Sequence, residues 1–355
     1  MKIIFTKEAC WLEKWDKFVS ENEHGSHLLL SDWLNSYKSY GFDFELQLCL
    51  ENEQIIGGYG AVIAKFLMFK FYIVPHGPIV LKEDKTILKH LIKNISIRAK
   101  ELKTCYCQIT VPSFFEVETN SNQISFFEKH HFRKGNRFKY VFSFVGLNWL
   151  DLKKYVKTED ILSDFKSSVR RDIRSAERKQ VVISYASDQS EIKLAYEICL
   201  ENAKKANYAL RDWQDIKETI FALIEKGAGK FIVGTKDNEI KGAIFLIKTG
   251  GYYSYIFGGS KKEKPDLLVG HLLQWEAIKL SFLENCNGYN LSLGGSKGVQ
   301  EFKNGFNTKQ LVAEDSKYYI INRPILFSLF NFIEKYLKPY KSRIAKILAS
   351  IKKIT

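Results

Sequence analysis

Two stretches decide how this chain reads: "ENEQIIGGYGAVIAKF", residues 51–66, and "KDNEIKGAIFLIKTG", residues 236–250. Each opens on a polar turn containing Asn and Glu. Each then places isoleucine ahead of a glycine, Ile55-Ile56-Gly57 against Ile240-Lys241-Gly242, and runs on as an apolar strand. The short β-rich runs before them, "FELQLCL" and "KFIVGT", make each unit a hairpin. Working outward, the order of elements repeats. A further strand follows each hairpin, "FKFYIVPHGPIV" in one copy and "GYYSYIFGGS" in the other. Next comes a segment with apolar residues at helical spacing, "DKTILKHLIKNISIRAKEL" or "LLVGHLLQWEAIKLSFLEN". The strands "TCYCQITV" and "GYNLSLGG" come after these helices, and "KYVFSFVG" and "QLVAEDSKYYII" are the expected last strands.

Two helical segments also precede each hairpin: "TKEACWLEKWDKFVSE" with "LLLSDWLNSYKSYG", and "EIKLAYEICLENAKKAN" with "DWQDIKETIFALIEKG". The copies lie too far apart for a solenoid, whose repeats span roughly 20–50 residues, so the pattern is a duplication. Two helices, a hairpin, a strand, a helix and a strand is the order of an N-acyltransferase domain of the GNAT type. The expected fold is α/β: two tandem GNAT-like domains, each a mixed, mostly antiparallel twisted sheet flanked by helices. The boundary falls near "NWLDLKKYVKTED", 148–160, giving a first domain over 1–150, a second over 151–322, and a basic amphipathic helical tail over 323–355.

The charge balance points to polyanionic partners. Lys plus Arg is 54 against 40 Asp plus Glu, a net charge of +14 over 355 residues. RNA, nucleotide phosphates and anionic membrane surfaces all fit that excess. The cysteines, Cys10, Cys49, Cys105, Cys107, Cys199 and Cys286, show no metal-binding spacing, and the histidines do not complete one. Cys105 and Cys107 are expected on one face of a strand. Reduced thiols and a cytoplasmic protein are the simplest reading. The N-terminus lacks the apolar run of a signal peptide, and no stretch reaches the ~20 apolar residues of a membrane span.

Several motifs, in order, resemble the FemABX peptidyltransferases, which carry two GNAT-like domains in tandem. "WDKFV…GSHLLLSDWLNSYKSYG" (15–41) is similar to that family's opening helices, and "YIVPHGPIV" (72–80) to its Pro-x-Gly-Pro turn. "SSVRRDIRSAERKQVVI" (167–183) resembles its Arg-rich helix running into a strand, and "EFKNGFNTKQLV" (301–312) its Phe-Lys-x-Gly-Phe segment. The spacing leaves no room for the long helical arm of some members. The resemblance implies an aminoacyltransferase that moves an amino acid from aminoacyl-tRNA, as co-substrate, onto an amine of a peptidoglycan precursor, nucleotide-linked or lipid-linked. No cofactor or metal is expected. The alternative is an acyl-CoA-dependent N-acyltransferase acting on an amino sugar or nucleotide-sugar. Neither half shows the glycine-rich turn that would hold the pyrophosphate of acetyl-CoA: "GGSKKEKPDLLVGHL" offers Gly270 alone, and "VLKEDKTI" has no glycine.

The chemistry needs an amine to lose a proton and an oxyanion to be stabilised. By resemblance, Lys303 is the candidate catalytic residue, with Phe302 beside it, able to neutralise a phosphate or the developing oxyanion. On the bland reading Phe302 and Phe306 anchor a helix and Lys303 is its solvated face. Arg170, Arg174 and Arg178 recur at i, i+4 and i+8 and share a helix face, thickened by Arg171. Guanidinium forks suit phosphate, so this strip is a candidate RNA or phosphate contact; ordinary pairing with Asp172 and Glu177 is the other reading. The resemblance also marks Tyr208, Arg211 and Lys38 as substrate-binding candidates. An acidic residue expected before the proline of "QITVPSF" is Val111 here, so the general base is unassigned; Glu116 and Glu118 are near in sequence only. The tail has apolar residues at helical spacing, basic residues opposite, and Pro339 to break it. Its first half is expected either to dock on the domains or, like the second half, to lie on an anionic membrane at the inner face.

Overall fold

The structure is a computed structural model, and it describes residues 1–81, 84–111, 126–313 and 316–337. Strands β1 (Lys2–Thr6), β2 (Asp43–Glu51), β3 (Gln54–Phe66), β4 (Phe69–Val74), β5 (Ile79–Val80), β6 (Tyr106–Thr110) and β7 (Arg133–Lys134) belong to one sheet. The helices of this half are α1 (Ala9–Glu21), the short α2 (Ser31–Asn35) continued by a 3-10 turn over Ser36–Tyr40, and α3 (Lys85–Glu101). A second sheet holds β8 (Gly146–Asp151), β9 (Val182–Tyr185), β10 (Gly229–Lys236), β11 (Glu239–Thr249), β12 (Tyr252–Ser260), β13 (Gly288–Asn290) and β14 (Lys309–Val312). Its helices are α4 (Thr158–Asp164), α5 (Ser167–Arg178), α6 (Gln189–Lys205), α7 (Trp213–Glu225), α8 (Val269–Leu283) and α9 (Lys297–Asn304). Strand β15 (Lys317–Ile321) and helix α10 (Pro324–Phe332) close the described chain.

The duplication is visible in the pairing. In each sheet three consecutive strands run antiparallel, β2-β3-β4 and β10-β11-β12, and a parallel pair follows, β4 with β6 and β12 with β13. A right-handed crossover helix, α3 or α8, is what a parallel pair requires.

The division at residues 150 and 322 is crossed by two strands. Strand β8 lies before the expected boundary, yet it pairs with β13, Leu150 opposite Tyr289, in the second sheet. Strand β15 comes after the whole second half, yet it returns to pair with β6, Tyr319 opposite Gln108, in the first. Each half thus completes its sheet with a strand from the other's expected range. The expected strand at 139–146 is irregular until Gly146, and the run at 310–321 is split into β14 and β15. Local alternation of residue types marks strands, but it does not say which sheet edge a strand joins.

Three apolar clusters hold the layers. One packs α3 residues Leu88, Leu91, Ile92 and Ile95 on the outer face of the first sheet. Another packs α5 and α8 on the outer face of the second, through Val169, Ile173, Leu273 and Ile278. The third joins the halves: Trp15, Leu34 and Phe44 are continuous with Tyr196, Ile220 and Phe245. Cys107 belongs to the α3 side, but Cys105 precedes β6 and packs on the shared side, so the two thiols do not share a face. Both are free, as are the other four cysteines.

Candidate active site

Strand β12 runs six residues past its last pairing with β13, Ser254 opposite Asn290. From there the two parallel strands diverge. The first residues beyond the split carry the candidate site. Asn290 ties it together: its Oδ1 accepts from the backbone N–H of Asn148 (3.0 Å) and Ser292 (2.9 Å), and its Nδ2 donates to Ser254 Oγ (3.1 Å). The Ser292 hydroxyl donates to the carbonyl of Tyr255, bridging the gap. Ser292 adopts φ +58° and is followed by Gly294 and Gly295, both at positive φ, so the backbone turns sharply and its carbonyls face inward.

Lys303, on α9, reaches those carbonyls. Its Nζ donates to the Ser292 carbonyl at 2.9 Å and the Gly294 carbonyl at 3.2 Å, and lies 5.9 Å from the centre of the Tyr255 ring. The residue is only 7% exposed. No carboxylate pairs with it among its described contacts, and burial lowers its pKa to about 8. Lys303 is thus not a solvated helix face. Tyr255, whose phenol burial holds well above its ordinary value, lies within electrostatic reach of Tyr208. The Tyr208 ring sits at the turn after α6, with Asn202 as hydrogen-bond partner.

Phe302 is the neighbour of Lys303 in sequence but points a different way. Its ring packs edge-on against His271 at 4.7 Å and Phe306 at 5.2 Å, at the margin of the second-sheet core. Successive helix residues point about 100° apart, so α9 anchors with one face and presents Lys303 with the next.

A cleft of about 60 Å³ lies against this region, between the halves. His27 comes from the first half, Phe142 and Phe144 from the segment entering β8, and Ser254, Asn290 and Ser292 from the second. The corresponding split in the first sheet is closed: the Gly77 N–H donates to the Thr110 carbonyl at 2.9 Å, just beyond the Val74–Ile109 pair. Val111 is buried in the α3-side cluster, and Glu116 and Glu118 lie outside the described residues.

The arginine strip is differently composed from its sequence spacing. Arg170 turns back and donates from one Nη to the carbonyls of Ser163 (2.8 Å) and Phe165, closing the end of α4. Arg171, Arg174 and Arg178 remain exposed, and the i, i+3, i+7 spacing gives them one face. Arg171 pairs with Asp172 at 3.3 Å. This helix is docked beside the lysine: the backbone N–H of Lys166 donates to the carbonyl of Gly305, at the end of α9, at 3.0 Å.

Arg211 lies elsewhere, as a clamp between the halves. Its Nη1 donates to Ser36 Oγ, and its guanidinium sits 4.6 Å from the Tyr37 ring centre, 5.1 Å from Tyr40 and 5.9 Å from Trp33. Lys38, on the same short turn, is exposed and lines a separate recess with Lys7, Asp32 and Asp43. Tyr255, Ser254, Asn290 and Ser292 had no motif to announce them. For Asn290 and Ser292 the one local signal is the run of small residues after a very short strand, "YNLSLGGS".

An aspartate caps the first crossover helix, and another stands just ahead of the second. Asp84 accepts from the N–H groups of Thr86 (2.8 Å) and Ile87 (2.9 Å) at the start of α3. Asp266 accepts from the N–H of Leu268 (2.8 Å) ahead of α8. Among the described residues no cluster of His, Cys, Asp or Glu could hold a metal ion, and no helix is long and apolar enough to cross a membrane.

Comparison with known proteins agrees with this architecture. The FemAB family matches over residues 12–215, and an acetyltransferase (GNAT) domain over residues 163–304. A crystal structure of FemX superposes with a TM-score of 0.77 at 15% identity, covering 93% of this chain and 99% of that one. The C-terminal domain of a putative lysylphosphatidylglycerol synthetase from Agrobacterium fabrum gives 0.54 at 11% identity, covering 88% and 92%. A tandem GNAT protein from the clavulanic acid biosynthesis pathway gives 0.50 at 11%, covering 90% and 98%. No curated protein matches by sequence. The family match spans more than half of the chain and the FemX superposition covers 93% of it: the chain belongs to the FemAB family, and at that level it is a peptidoglycan-related aminoacyltransferase built from two GNAT-type halves.

Proposed function

We propose that this chain transfers an amino acid from aminoacyl-tRNA to an amine of a peptidoglycan precursor, with Lys303 at the reacting centre. The placement of Lys303 carries the reading: a buried ammonium, held on two carbonyls at the mouth of the β12–β13 split, beside the cleft between the halves. An ammonium has three protons. Two are engaged by Ser292 and Gly294, which leaves one for an incoming oxygen.

In the reaction the acceptor nitrogen attacks the ester carbonyl carbon, and negative charge gathers on the carbonyl oxygen. The C–O bond to the ribose then breaks, the amide forms, and the ribose oxygen leaves with the proton the amine gives up. Lys303 stabilises charge on the carbonyl oxygen or the departing ribose oxygen. In a site shielded from water that contribution exceeds the same contact in solution. The exposed Arg171, Arg174 and Arg178 lie on a helix tied to the lysine's own, and they are the proposed contacts for the RNA backbone. Tyr208 borders the same side and is the proposed contact for the amino acid or the acceptor. Arg211, clamped between the halves, and Lys38 of the first half are proposed to bind the precursor's phosphates.

The acyl-CoA reading is the weaker one. A pyrophosphate bound at a helix start needs free amides there. Asp84 occupies two amides at the start of α3, Asp266 stands just ahead of α8, and each adds a negative charge.

The donor decides between the two readings. The protein is incubated with a nucleotide-linked peptidoglycan precursor and either a pool of charged tRNAs or acetyl-CoA, with product mass and binding followed across a salt series. The expected result is a precursor heavier by an amino-acid residue with charged tRNA only, and tRNA affinity that falls with salt. Acetylated product, or CoA binding with no salt-sensitive tRNA binding, overturns the proposal.

A further inference from the structure

We infer that the outward face of α10, together with the β3–β4 turn, is a docking surface for an anionic lipid bilayer. Helix α10 and the turn that continues it to Leu337 carry two apolar stripes, not one. The inward stripe, Phe327 and Phe330, is buried; Phe330 touches Phe69 at 5.5 Å, Phe71 at 4.7 Å and Phe66 at 6.3 Å between ring centres. That contact settles the first half of the tail against the first sheet. The outward stripe is Ile325, Leu329, Phe332 and Tyr336, at i, i+4, i+7 and i+11. Ile325 is 89% exposed, and all four lie open among the described residues.

A second apolar element stands beside it. Phe66 and Phe69, which both touch Phe330, flank the turn between β3 and β4, and the tip of that turn is Leu67 and Met68. Leu67 is 84% exposed and Met68 64%. Exposed apolar groups this size, grouped on one side of a soluble fold, mark an interaction surface.

Charge commits the occupant. Lys65, Lys103, Arg323 and Lys335 are exposed around these elements, and Lys70 is half-buried beside them. Glu334, the one acid on α10 and its extension, is engaged by the Tyr140 hydroxyl. Residues 338–355 then add Lys338, Lys341, Arg343, Lys346, Lys352 and Lys353 with no acid. Apolar groups at the level of the surface, ringed by cations, fit the interface of an anionic membrane, where nearby Lys and Arg add electrostatic attraction. A second copy of this chain would bring the same positive charge to the contact and repel it. The surface lies on α10 and a hairpin tip, away from Lys303, so this inference stands without the proposed donor or acceptor.

The test uses the full chain with vesicles of phosphatidylcholine, alone or with phosphatidylglycerol. Cosedimentation is expected only with the anionic vesicles, and a Phe332→Trp reporter is expected to shift its emission to the blue on binding. The double variant Leu67→Ser/Phe332→Ser, at exposed positions, is expected to keep the wild-type Tm and bind at least tenfold more weakly. It should also retain transfer to the soluble nucleotide-linked precursor, which separates this surface from the reaction. No binding by the wild-type chain overturns the inference. So does undiminished binding by the double variant, which would assign the membrane contact to residues 338–355 alone. A dimer that the double variant dissociates, with vesicle binding unchanged, overturns it in favour of a second copy.

Discussion

Lys303 Nζ donates to the carbonyl oxygen of Ser292 at 2.9 Å, joining the helix that follows a glycine turn to the loop that precedes it. A flexible side chain with a point charge is thereby fixed in a buried position. Removing it tests the chemistry directly. Lys303→Met keeps the aliphatic bulk and loses the charge, so kcat is expected to fall by about 10²–10³, the scale on which oxyanion contacts act. Steady-state kinetics with saturating donor measures this, and near-normal turnover would sink the catalytic role.

The same residue predicts a pH dependence. Burial lowers its pKa to about 8, so the ammonium is the dominant form below pH 8 and is lost above it. If Lys303 acts as a cation, kcat falls as pH rises through about 8, whereas an unshifted lysine would hold the rate to pH 10. Stability moves the other way. The unfolded chain binds more protons than the native one between about pH 8 and 10.5, so this group's contribution to unfolding free energy rises with pH in that window. A rate profile flat to pH 9.5 would contradict the cationic role.

The arginines divide into two kinds with separable signatures. Arg174→Gln/Arg178→Gln is expected to leave Tm within about 2 °C, because exposed positions away from packing contribute little. It should weaken tRNA binding and reduce the slope of log K against log salt by roughly 2, about one per cation removed. Arg170→Gln should do the reverse. It abandons the two carbonyls at the end of α4 and costs about 1–3 kcal/mol of stability, with the salt slope unchanged. Denaturant titration and salt-dependent binding on both variants check the division.

Arg211 stacks among Tyr37, Tyr40 and Trp33 across the junction of the halves. Arg211→Ala is expected to cost about 1–3 kcal/mol, from the lost cation–π contacts and the bond to Ser36. Arg211→Lys retains the charge but not the flat, stacked fork. If Arg211 also contacts the precursor's phosphates, the lysine variant raises KM severalfold less than the alanine variant does. Equal KM values for wild type and both variants, with Tm lowered, would leave Arg211 as a clamp alone.

Much of the fold was legible along the chain because it rests on local periodicity. The hairpins at 43–66 and 229–249, the helices over 85–101, 189–205 and 269–283, and the duplication that orders them all follow from residue spacing. Lys303 was legible only through resemblance; its own surroundings favoured a solvated helix face. Arg170 was misplaced in the phosphate strip for a related reason. Spacing reports which residues share a helix face, but not that the end of α4 lies close enough to engage one of them.

By itself the sequence determined the element types, their order, their repetition and the positive charge, since these depend on neighbours a few residues apart. Tertiary structure alone decided the rest. It exchanged β8 and β15 between the sheets, closed the split beyond β4 and left the one beyond β12 for Lys303. It also set one stripe of α10 inward and left the other facing out. Each of these depends on which distant segments meet, and a buried charge or a shared sheet edge is stable only where distant groups supply its hydrogen bonds.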